Sequence, residues 1–383
     1  MWVKRRLELV VLLFLLGHLA LSWQPVPALW GLDLLSYAPW WYLVIFLLGS
    51  LALWPLGSRI SGLLPHLPDP WDPGFRGWLV RLMVVGGGLV FFVLWRSQLH
   101  LLGDGYLMLR ELVMLVDRTG NEPLALWVLA KLYRSSVGLD AGTVYRLYSY
   151  VAGVCYVLLA FPVAASLGTA REGRWLVLGV LLTAGYMQVF CGYVENYPPL
   201  FPATLLYFWG GLRLLQGRLP LWALSGGLAL LMTYHFIAIT LAPSLLVAVW
   251  LGWRRGHWDG WWRLVGGLAL GPVVVLTVLS GVGLDLFAYT TGLRGGHLLP
   301  TWAAPDYSQA YGLLSWRHGL DLLAEQLLVA PVVVLVLLGV GGVMRRSWSD
   351  ERIFFGVAGL LAFLFTALAN PVLGAFRDWD VLA

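Results

Sequence analysis

Long apolar runs recur along the chain, and short polar or charged stretches separate them. An α-helix needs about 20 apolar residues to cross the hydrocarbon core of a membrane, which is close to the length of most runs. The pattern therefore predicts an all-α fold, a polytopic transmembrane helical bundle of about 11 spans. The predicted spans are 7–23, 39–56, 78–95, 143–167, 175–190, 198–215, 220–234, 236–252, 264–283, 327–344 and 353–369.

Two of these assignments have alternatives. The short runs 220–234 and 236–252 meet at Tyr234 and His235, so they form either two spans or a single bent helix that would invert the rest of the topology. The first run follows Lys4, Arg5 and Arg6, a pattern that a signal peptide also shows. We favour an uncleaved first span, because the later topology is consistent when that span is kept.

Composition supports a membrane protein. The chain is 60% hydrophobic and only 12% charged, with a mean hydropathy of +0.78, whereas a soluble domain is about 25% charged. Many of the 22 tryptophans fall at predicted span ends, where interfacial belts form. The pI near 9.2 arises from short basic loops rather than from one basic patch, so no nucleic-acid partner is expected. The two cysteines offer neither a metal-binding spacing nor a disulfide framework.

Charge asymmetry sets the predicted orientation. Most of the 25 Lys and Arg residues fall on the side of the N-terminus, which is therefore the cytoplasmic side of the cell membrane. We interpret 1–383 as a single transmembrane domain with extracytoplasmic loops at 96–142 and 284–326. A third extracytoplasmic segment begins at Asn370 and ends with the chain, so the sequence is either a short protein or a fragment.

The loop 96–142 contains two predicted helices that do not cross. In 105–118, Arg110, Glu111, Asp117 and Arg118 share one helical face and apolar residues surround the rest, which predicts an amphipathic helix in the plane of the membrane interface. The apolar stretch 123–133 is too short to cross, so we expect it to pack against the spans or to re-enter the membrane.

Candidate catalytic carboxylates follow two of the spans on the extracytoplasmic side. Asp104 lies between two glycines, where a carboxylate could act as a general base or bind a cation, although it could also cap the next helix. Glu195 lies in the polar segment Tyr193, Glu195, Asn196 and Tyr197, just before two prolines that begin a helix. Polar residues at membrane depth are usually functional, so this segment is a candidate substrate site, with capping by Glu195 as the alternative.

Three further groups are candidates. His235 lies at the tip between two short spans, where a lone histidine is more often a simple hydrogen-bonding residue. The second loop contains His297, and also His318, Asp321 and Glu325, which share a helix face that we interpret as solvated. Near the end of the chain a guanidinium that could bind phosphate lies beside two carboxylates, in Arg377, Asp378 and Asp380. The candidate substrate-binding residues are Tyr106, Arg110, Tyr193, Asn196, Tyr197, His235, His297, Arg377, Asp378 and Asp380.

Several well-known motifs are absent from the sequence. There is no Walker A loop, dinucleotide fingerprint, Gly-x-Ser-x-Gly elbow or His-Glu-x-x-His zinc motif. ATP-driven transport and simple hydrolysis are therefore not supported.

Taken together, the topology and Gly103-Asp104-Gly105 in the first extracytoplasmic loop resemble the GT-C superfamily of integral-membrane glycosyltransferases. The resemblance covers most of the chain as topology. It implies a hexosyl- or pentosyltransferase in which Asp104, alone rather than in a carboxylate pair, is the catalytic base or a metal-associated carboxylate.

The same resemblance implies the substrates. The donor would be a sugar on a polyprenyl phosphate, and the acceptor a lipid, a glycan or a protein of the cell envelope. Glu195 would stabilise the developing oxocarbenium ion. Positive charge for the leaving phosphate would come from Arg377, from Arg110, or from a divalent cation such as Mg²⁺ or Mn²⁺.

Three other functions compete with sugar transfer. A transporter or flippase of a lipid-linked or anionic substrate should carry charges near the middle of its spans, but here the polar residues collect at one end. A polysaccharide polymerase or ligase of another fold would share the substrates. A structural assembly subunit would need no site at all.

Overall fold

The computed structural model describes residues 2–24, 40–63, 69–97, 105–116, 122–257, 260–287, 313–331, 333–334 and 349–368. These residues form an all-α helical bundle and include no β-strand. The helices are α1 Trp2–Trp23, α2 Trp40–Leu63, α3 Phe75–Leu94, α4 Gly105–Val113, α5 Pro123–Ser135, α6 Ala141–Leu167, α7 Arg171–Leu182, α8 Leu200–Leu215, α9 Leu221–Tyr234, α10 Ala242–Arg254, α11 Trp261–Val282, α12 Trp316–Val329 and α13 Asp350–Leu368. Two 3₁₀ helices, Gly185–Phe190 and Phe236–Leu241, precede α8 and α10.

Five helical segments in the described part of the chain are long and apolar enough to cross a membrane: Phe75–Leu94, Ala141–Leu167, Phe236–Arg254, Trp261–Val282 and Asp350–Leu368. Four more apolar helical segments are shorter: Glu8–Trp23, Trp40–Ala52, Leu200–Leu215 and Leu221–Tyr234. Each of these nine segments coincides with one of the predicted spans.

One half of the core lies around α6. Phe92 of α3, Tyr156 of α6 and Phe190 of the first 3₁₀ helix are buried together in an apolar cluster. Gly153 of α6 makes this packing possible, because a Cβ there would lie 2.5 Å from the ring of Phe92 and 2.8 Å from Phe190 Cβ. The 3₁₀ helix is therefore held directly against α6.

The other half of the core joins α8, α9, α10 and α13. Tyr207, Leu228, Leu245 and Phe354 belong to this buried cluster. α11 packs along α9, where Leu221 lies so close to Gly267 that a Cβ on the glycine would approach it to 2.9 Å. Small residues at helix contacts allow such close approach in membrane bundles.

Two predicted spans differ from the structure. The helix predicted at 175–190 ends at Leu182, and after a short break the chain continues as the 3₁₀ helix Gly185–Phe190. The Thr183 hydroxyl donates to the carbonyl of Gly179 (2.7 Å) at the end of α7. The start of the predicted span 327–344 is also wrong, because 327–329 are the last turn of α12. Most of the remainder of that span lies outside the described residues.

The first predicted loop contains both expected helices. α4 ends at Val113 rather than at 118, and Leu115 beyond it has a positive φ of 58°. Arg110 is exposed on α4, whereas Asp117 and Arg118 lie outside the described residues. The expectation that 123–133 packs against the spans is confirmed, because α5 buries Leu126 and Leu129 and contacts α6, α9 and α11.

The interpretation of His318, Asp321 and Glu325 as a solvated face is wrong. These residues share one face of α12, as their spacing predicted, but their exposed fractions are only 5%, 5% and 0%. The face is buried because α12 packs against the first 3₁₀ helix, and because His318 Nε2 hydrogen-bonds to the carbonyl of Ala367 at the end of α13 (2.9 Å). Spacing alone cannot distinguish a buried polar face from a solvated one.

Candidate functional site

The segment 191–199 between the first 3₁₀ helix and α8, hereafter the Asn196 turn, has no helical conformation and is nevertheless buried at 191–198. Two backbone contacts fix its start. Ser97 N–H donates to the carbonyl of Cys191 (2.7 Å), and Gly192 N–H donates to Ser149 Oγ on α6 (3.1 Å). Gly192 has a φ of +70°, which other residues rarely adopt. Pro199 is the N-cap of α8, so the expectation that the two prolines begin a helix is confirmed.

Asn196 is at the centre of a hydrogen-bond network formed by three tyrosines. Its side-chain Oδ1 accepts from the Tyr145 hydroxyl (2.8 Å). Its backbone carbonyl accepts from the hydroxyls of Tyr148 (3.1 Å) and Tyr234 (2.9 Å). Because the residue is only 1% exposed, these bonds replace the water that its polar groups would otherwise require.

Glu122 completes the network, and sequence reasoning missed it. It lies in the first predicted loop at the N-cap of α5, and its Oε2 accepts from Asn196 Nδ2 (2.6 Å). Its Oε1 lies 3.1 Å from His235 Nε2. The available signal was an acidic residue directly before Pro123, at the start of a helix too short to cross.

His235 interrupts the chain between α9 and the second 3₁₀ helix in an extended conformation, with φ −148° and ψ 126°. The helix is therefore broken there rather than merely bent. His235 Nδ1 accepts from Ile237 N–H (3.2 Å), so the ring proton is on Nε2, which faces Glu122. With Nδ1 occupied, His235 orients the carboxylate and offers no free lone pair to a substrate.

Glu122, Asn196 and His235, together with Tyr145, Tyr148 and Tyr234, form what we call the polar cluster. Its members come from four segments, which the predicted topology places on one face of the membrane: the start of α5, the start of α6, the Asn196 turn and the end of α9. The structure brings them together at one end of the bundle. The side chains of Glu122 and His235 are 14% and 9% exposed, so the cluster is mostly buried but still accessible to solvent.

An apolar cavity of about 410 Å³ adjoins the polar cluster. Most of its walls come from α8, the second 3₁₀ helix and α13, and include Leu200, Phe208 and Phe365. Tyr197 and His235 also line it, with their rings 5.5 Å apart in an edge-on arrangement. A ligand in this cavity would contact apolar walls along its length and the polar cluster at one end.

α12 covers another side of the Asn196 turn. Tyr193 packs with Ala324, Leu328 and Val329 of this helix. Next to them, both carboxyl oxygens of Glu325 are buried and have no hydrogen-bond partner among the residues that the structure describes. Burial and the nearby charge of Asp321 raise the pKa of Glu325 to about 8, so the protein holds this group as a neutral acid at pH 7.

The other candidate residues are not all brought to the cluster. Glu195 is 2% exposed, directly beside Asn196 in the turn. Tyr106 and Arg110 are exposed on α4, whose Met108 sulfur lies 3.0 Å from Asn196 Nδ2. Within the described residues, no group of three or more His, Cys, Asp and Glu side chains could hold a metal ion. The remaining candidates lie outside the described residues: Asp104, His297, Arg377, Asp378 and Asp380.

Comparison with known proteins gives one partial match. No protein-family model and no solved structure matches the chain. Over 125 residues the chain is 33% identical to the phosphite transport system permease protein PtxC of Stutzerimonas stutzeri, and the match covers 31% of this chain and 44% of that protein. The chain therefore spans less than half of this relative. With its apolar helices, the match supports a multi-pass membrane protein.

Proposed function

We propose that the protein is a membrane glycosyltransferase that transfers a sugar from a polyprenyl-phosphate donor to a lipid, glycan or protein acceptor on the extracytoplasmic face. The observation that carries the proposal is the continuity between the apolar cavity and the polar cluster at His235 and Tyr197. A donor of this class has the same two parts, an apolar chain and a polar sugar phosphate.

The cavity suits the lipid part of the donor. Its volume of about 410 Å³ lies within the usual range of about 300–1,000 Å³ for ligand sites, and its walls are mainly Leu, Ile, Ala and Phe side chains. It lies between helices of the bundle. The prenyl units next to the phosphate bind here, and the rest of the chain stays in the bilayer.

The polar cluster suits the reacting part. In the transfer, the bond from the sugar C1 to the phosphate oxygen breaks, and the lipid phosphate leaves with the electron pair. The acceptor oxygen forms the new bond to C1 and loses its proton to a carboxylate. We assign this role to Glu122, because Asn196 and His235 hold both its oxygens in place while its side chain stays partly exposed.

The other candidate residues keep the roles that the family resemblance implies, except that the proton transfer it gives to Asp104 is assigned here to Glu122. Asp104 is a second carboxylate of the same loop, Glu195 supports the developing oxocarbenium ion, and Arg110 or Arg377 binds the leaving phosphate. Asp104→Asn is expected to lower turnover as well. The larger loss, with Asp104→Asn or with Glu122→Gln, identifies the residue that takes the proton.

Incubation of the purified protein with radiolabelled polyprenyl-phosphate sugars and an envelope extract tests the activity. We expect label to move from the lipid to an acceptor, and to stop when the donor carries a short, water-soluble chain in place of the prenyl chain. Absence of transfer with every donor, from folded protein, contradicts the proposal.

A second candidate is a transporter of an anion, and one observation favours it: the partial match to a phosphite permease. Proteoliposomes containing the purified protein, loaded and assayed with radiolabelled phosphite, separate the two functions. Phosphite uptake without sugar transfer supports the transporter, whereas transfer without uptake supports the glycosyltransferase.

A further inference from the structure

A second cavity, of about 970 Å³, lies at the opposite end of α9 from the polar cluster. Tyr234, the last residue of α9, belongs to the polar cluster, whereas Leu221, its first residue, lines this cavity. The remaining walls come from the end of α8, the turn 217–220 and the start of α11. The positive-inside rule predicts that this end of the bundle is cytoplasmic.

The cavity is basic. Arg218, Arg263 and His257 line it, and none of the described residues around it is acidic. An anion entering the cavity therefore meets cationic side chains on two sides.

The backbone adds to this positive potential. α9 begins at Leu221 and α11 at Trp261, so both helices direct their N-terminal ends towards the cavity. The turn before α9 lies close to His257: Gly217 has a φ of +68°, and a Cβ on it would lie 3.6 Å from His257 Nε2.

The remaining walls are apolar. Leu214, Leu219, Trp222 and Leu270 line the cavity beside the arginines. A small free anion gains no binding energy from apolar walls. A lipid with an anionic headgroup contacts both the arginines, through its headgroup, and the apolar walls, through its acyl chains. Basic cavities between membrane helices on the cytoplasmic side are known to suit anionic headgroups.

We propose that this cavity binds the phosphate headgroup of an anionic phospholipid, with Arg218 and Arg263 on the phosphate and the acyl chains against α9 and α11. The site is separate from the one proposed for sugar transfer and does not depend on it. It ties the protein to the anionic leaflet of its membrane.

Native mass spectrometry of the full-length protein in a neutral detergent tests the site. The affinities for phosphatidylglycerol and for phosphatidylcholine with identical acyl chains are measured by titration. We expect tighter binding of phosphatidylglycerol, and a loss of about five-fold for each of Arg218→Gln and Arg263→Gln, or about 25-fold for both.

Two further variants separate this cavity from general surface charge. Arg254→Gln is the matched control, since Arg254 lies at the same end, stacks 5.0 Å over Trp250 and does not line the cavity. Gly266→Leu keeps every charge and fills the space, because Gly266 lines the cavity and a Cβ there meets no atom within 4 Å. It should also weaken phosphatidylglycerol binding.

Three results overturn the proposal. Equal affinity for the two lipids shows that the site does not recognise the charge of the headgroup. An equal loss with Arg254→Gln shows diffuse surface charge, and displacement of the lipid by millimolar inorganic phosphate shows a site for free anions.

Discussion

Asn196 shows how a single polar residue is held at the depth of the bundle. Its side chain receives one tyrosine hydroxyl and donates to Glu122, and its backbone carbonyl receives two more hydroxyls. Removing the Tyr145 hydroxyl leaves the buried Oδ1 of Asn196 without its hydrogen bond, which costs more than the bond itself contributes. The network therefore fixes the geometry of Glu122.

Tyr145→Phe tests this network. The variant leaves Asn196 Oδ1 without its donor, so we expect the free energy of unfolding to fall by about 1–3 kcal/mol. Unfolding in mixed detergent micelles gives the measurement. Tyr150→Phe, five residues along α6, is the control because its hydroxyl has no hydrogen bond among the described residues. Equal stability of the two variants would show that the network contributes little.

Glu325 makes a second residue-scale prediction, because its pKa is raised to about 8 from an ordinary value near 4.5. The folded protein keeps a proton there that the unfolded chain releases. The contribution of this proton to the free energy of unfolding is fully present below about pH 4.5. It decreases as the pH rises to about 8 and does not change further above that pH. The negative charge of Asp321 is the neighbouring charge that raises the pKa of Glu325. Tyr186 and Tyr193 lie in the segment that packs against α12.

Comparison of the wild type with Glu325→Gln measures this effect. We expect the ratio of their unfolding equilibrium constants to grow by up to ten-fold per pH unit between pH 5 and 8, since Gln cannot ionise. Asp321→Asn should move the upper limit of this window to lower pH. A ratio that does not change with pH would mean that Glu325 is ionised in the folded protein.

At the scale of elements, the break between α7 and α8 matters most. One continuous helix through 175–190 would leave no irregular backbone for the polar cluster, whereas the 3₁₀ helix and the Asn196 turn provide it. Non-helical backbone at membrane depth is stable only where the protein supplies its hydrogen bonds. Here Ser149 and the tyrosines supply them, and α12 covers the turn by apolar packing.

Gly185→Ala tests the docking of α12 on the 3₁₀ helix. A Cβ on Gly185 would lie 1.7 Å from the carbonyl oxygen of Leu328, so α12 has to move away. We expect a loss of about 1–3 kcal/mol in the free energy of unfolding and faster hydrogen exchange in 316–329. Gly179→Ala is the control, because a Cβ there would meet no atom within 4 Å apart from the neighbouring backbone of its own helix. Unchanged exchange in Gly185→Ala would contradict close docking.

The sequence predicted most elements because a span is encoded by a local apolar run. It failed at 175–190, where apolar character continues but the close approach of Leu328 to Gly185 comes from a segment more than 130 positions away. It also misjudged the polar face of α12, since burial by the end of α13 is a tertiary effect.

At the scale of the molecule, the candidate site is assembled from residues far apart in sequence. Asn196 lies 74 positions from Glu122, 51 from Tyr145 and 38 from Tyr234. The pattern of spans predicted that 191–197 and His235 would share a face, and they do meet. It could not select Glu122, because the carboxylate is recognised only once Asn196 and His235 are seen to hold it.

The bundle has two ends with different character. The polar cluster combines a carboxylate with tyrosine hydroxyls and adjoins an apolar cavity. The cavity at the opposite end of α9 is lined by arginines. The positive-inside rule predicts that the arginine end faces the cytoplasm and the polar cluster faces outward. Sugar transfer is accordingly proposed for the outer end, and lipid anchoring for the inner one.

The most direct measurement is the single-turnover rate of sugar transfer by Glu122→Gln, with Glu122→Asp and Glu172→Gln assayed beside it. Glu172 is exposed on α7, so it is the matched control. We predict that Glu122→Gln remains folded, binds the donor and transfers 10²–10⁴-fold more slowly, that Glu122→Asp recovers part of the rate, and that Glu172→Gln equals the wild type. Transfer by folded Glu122→Gln at the wild-type rate would contradict the assignment of the polar cluster as the reaction site.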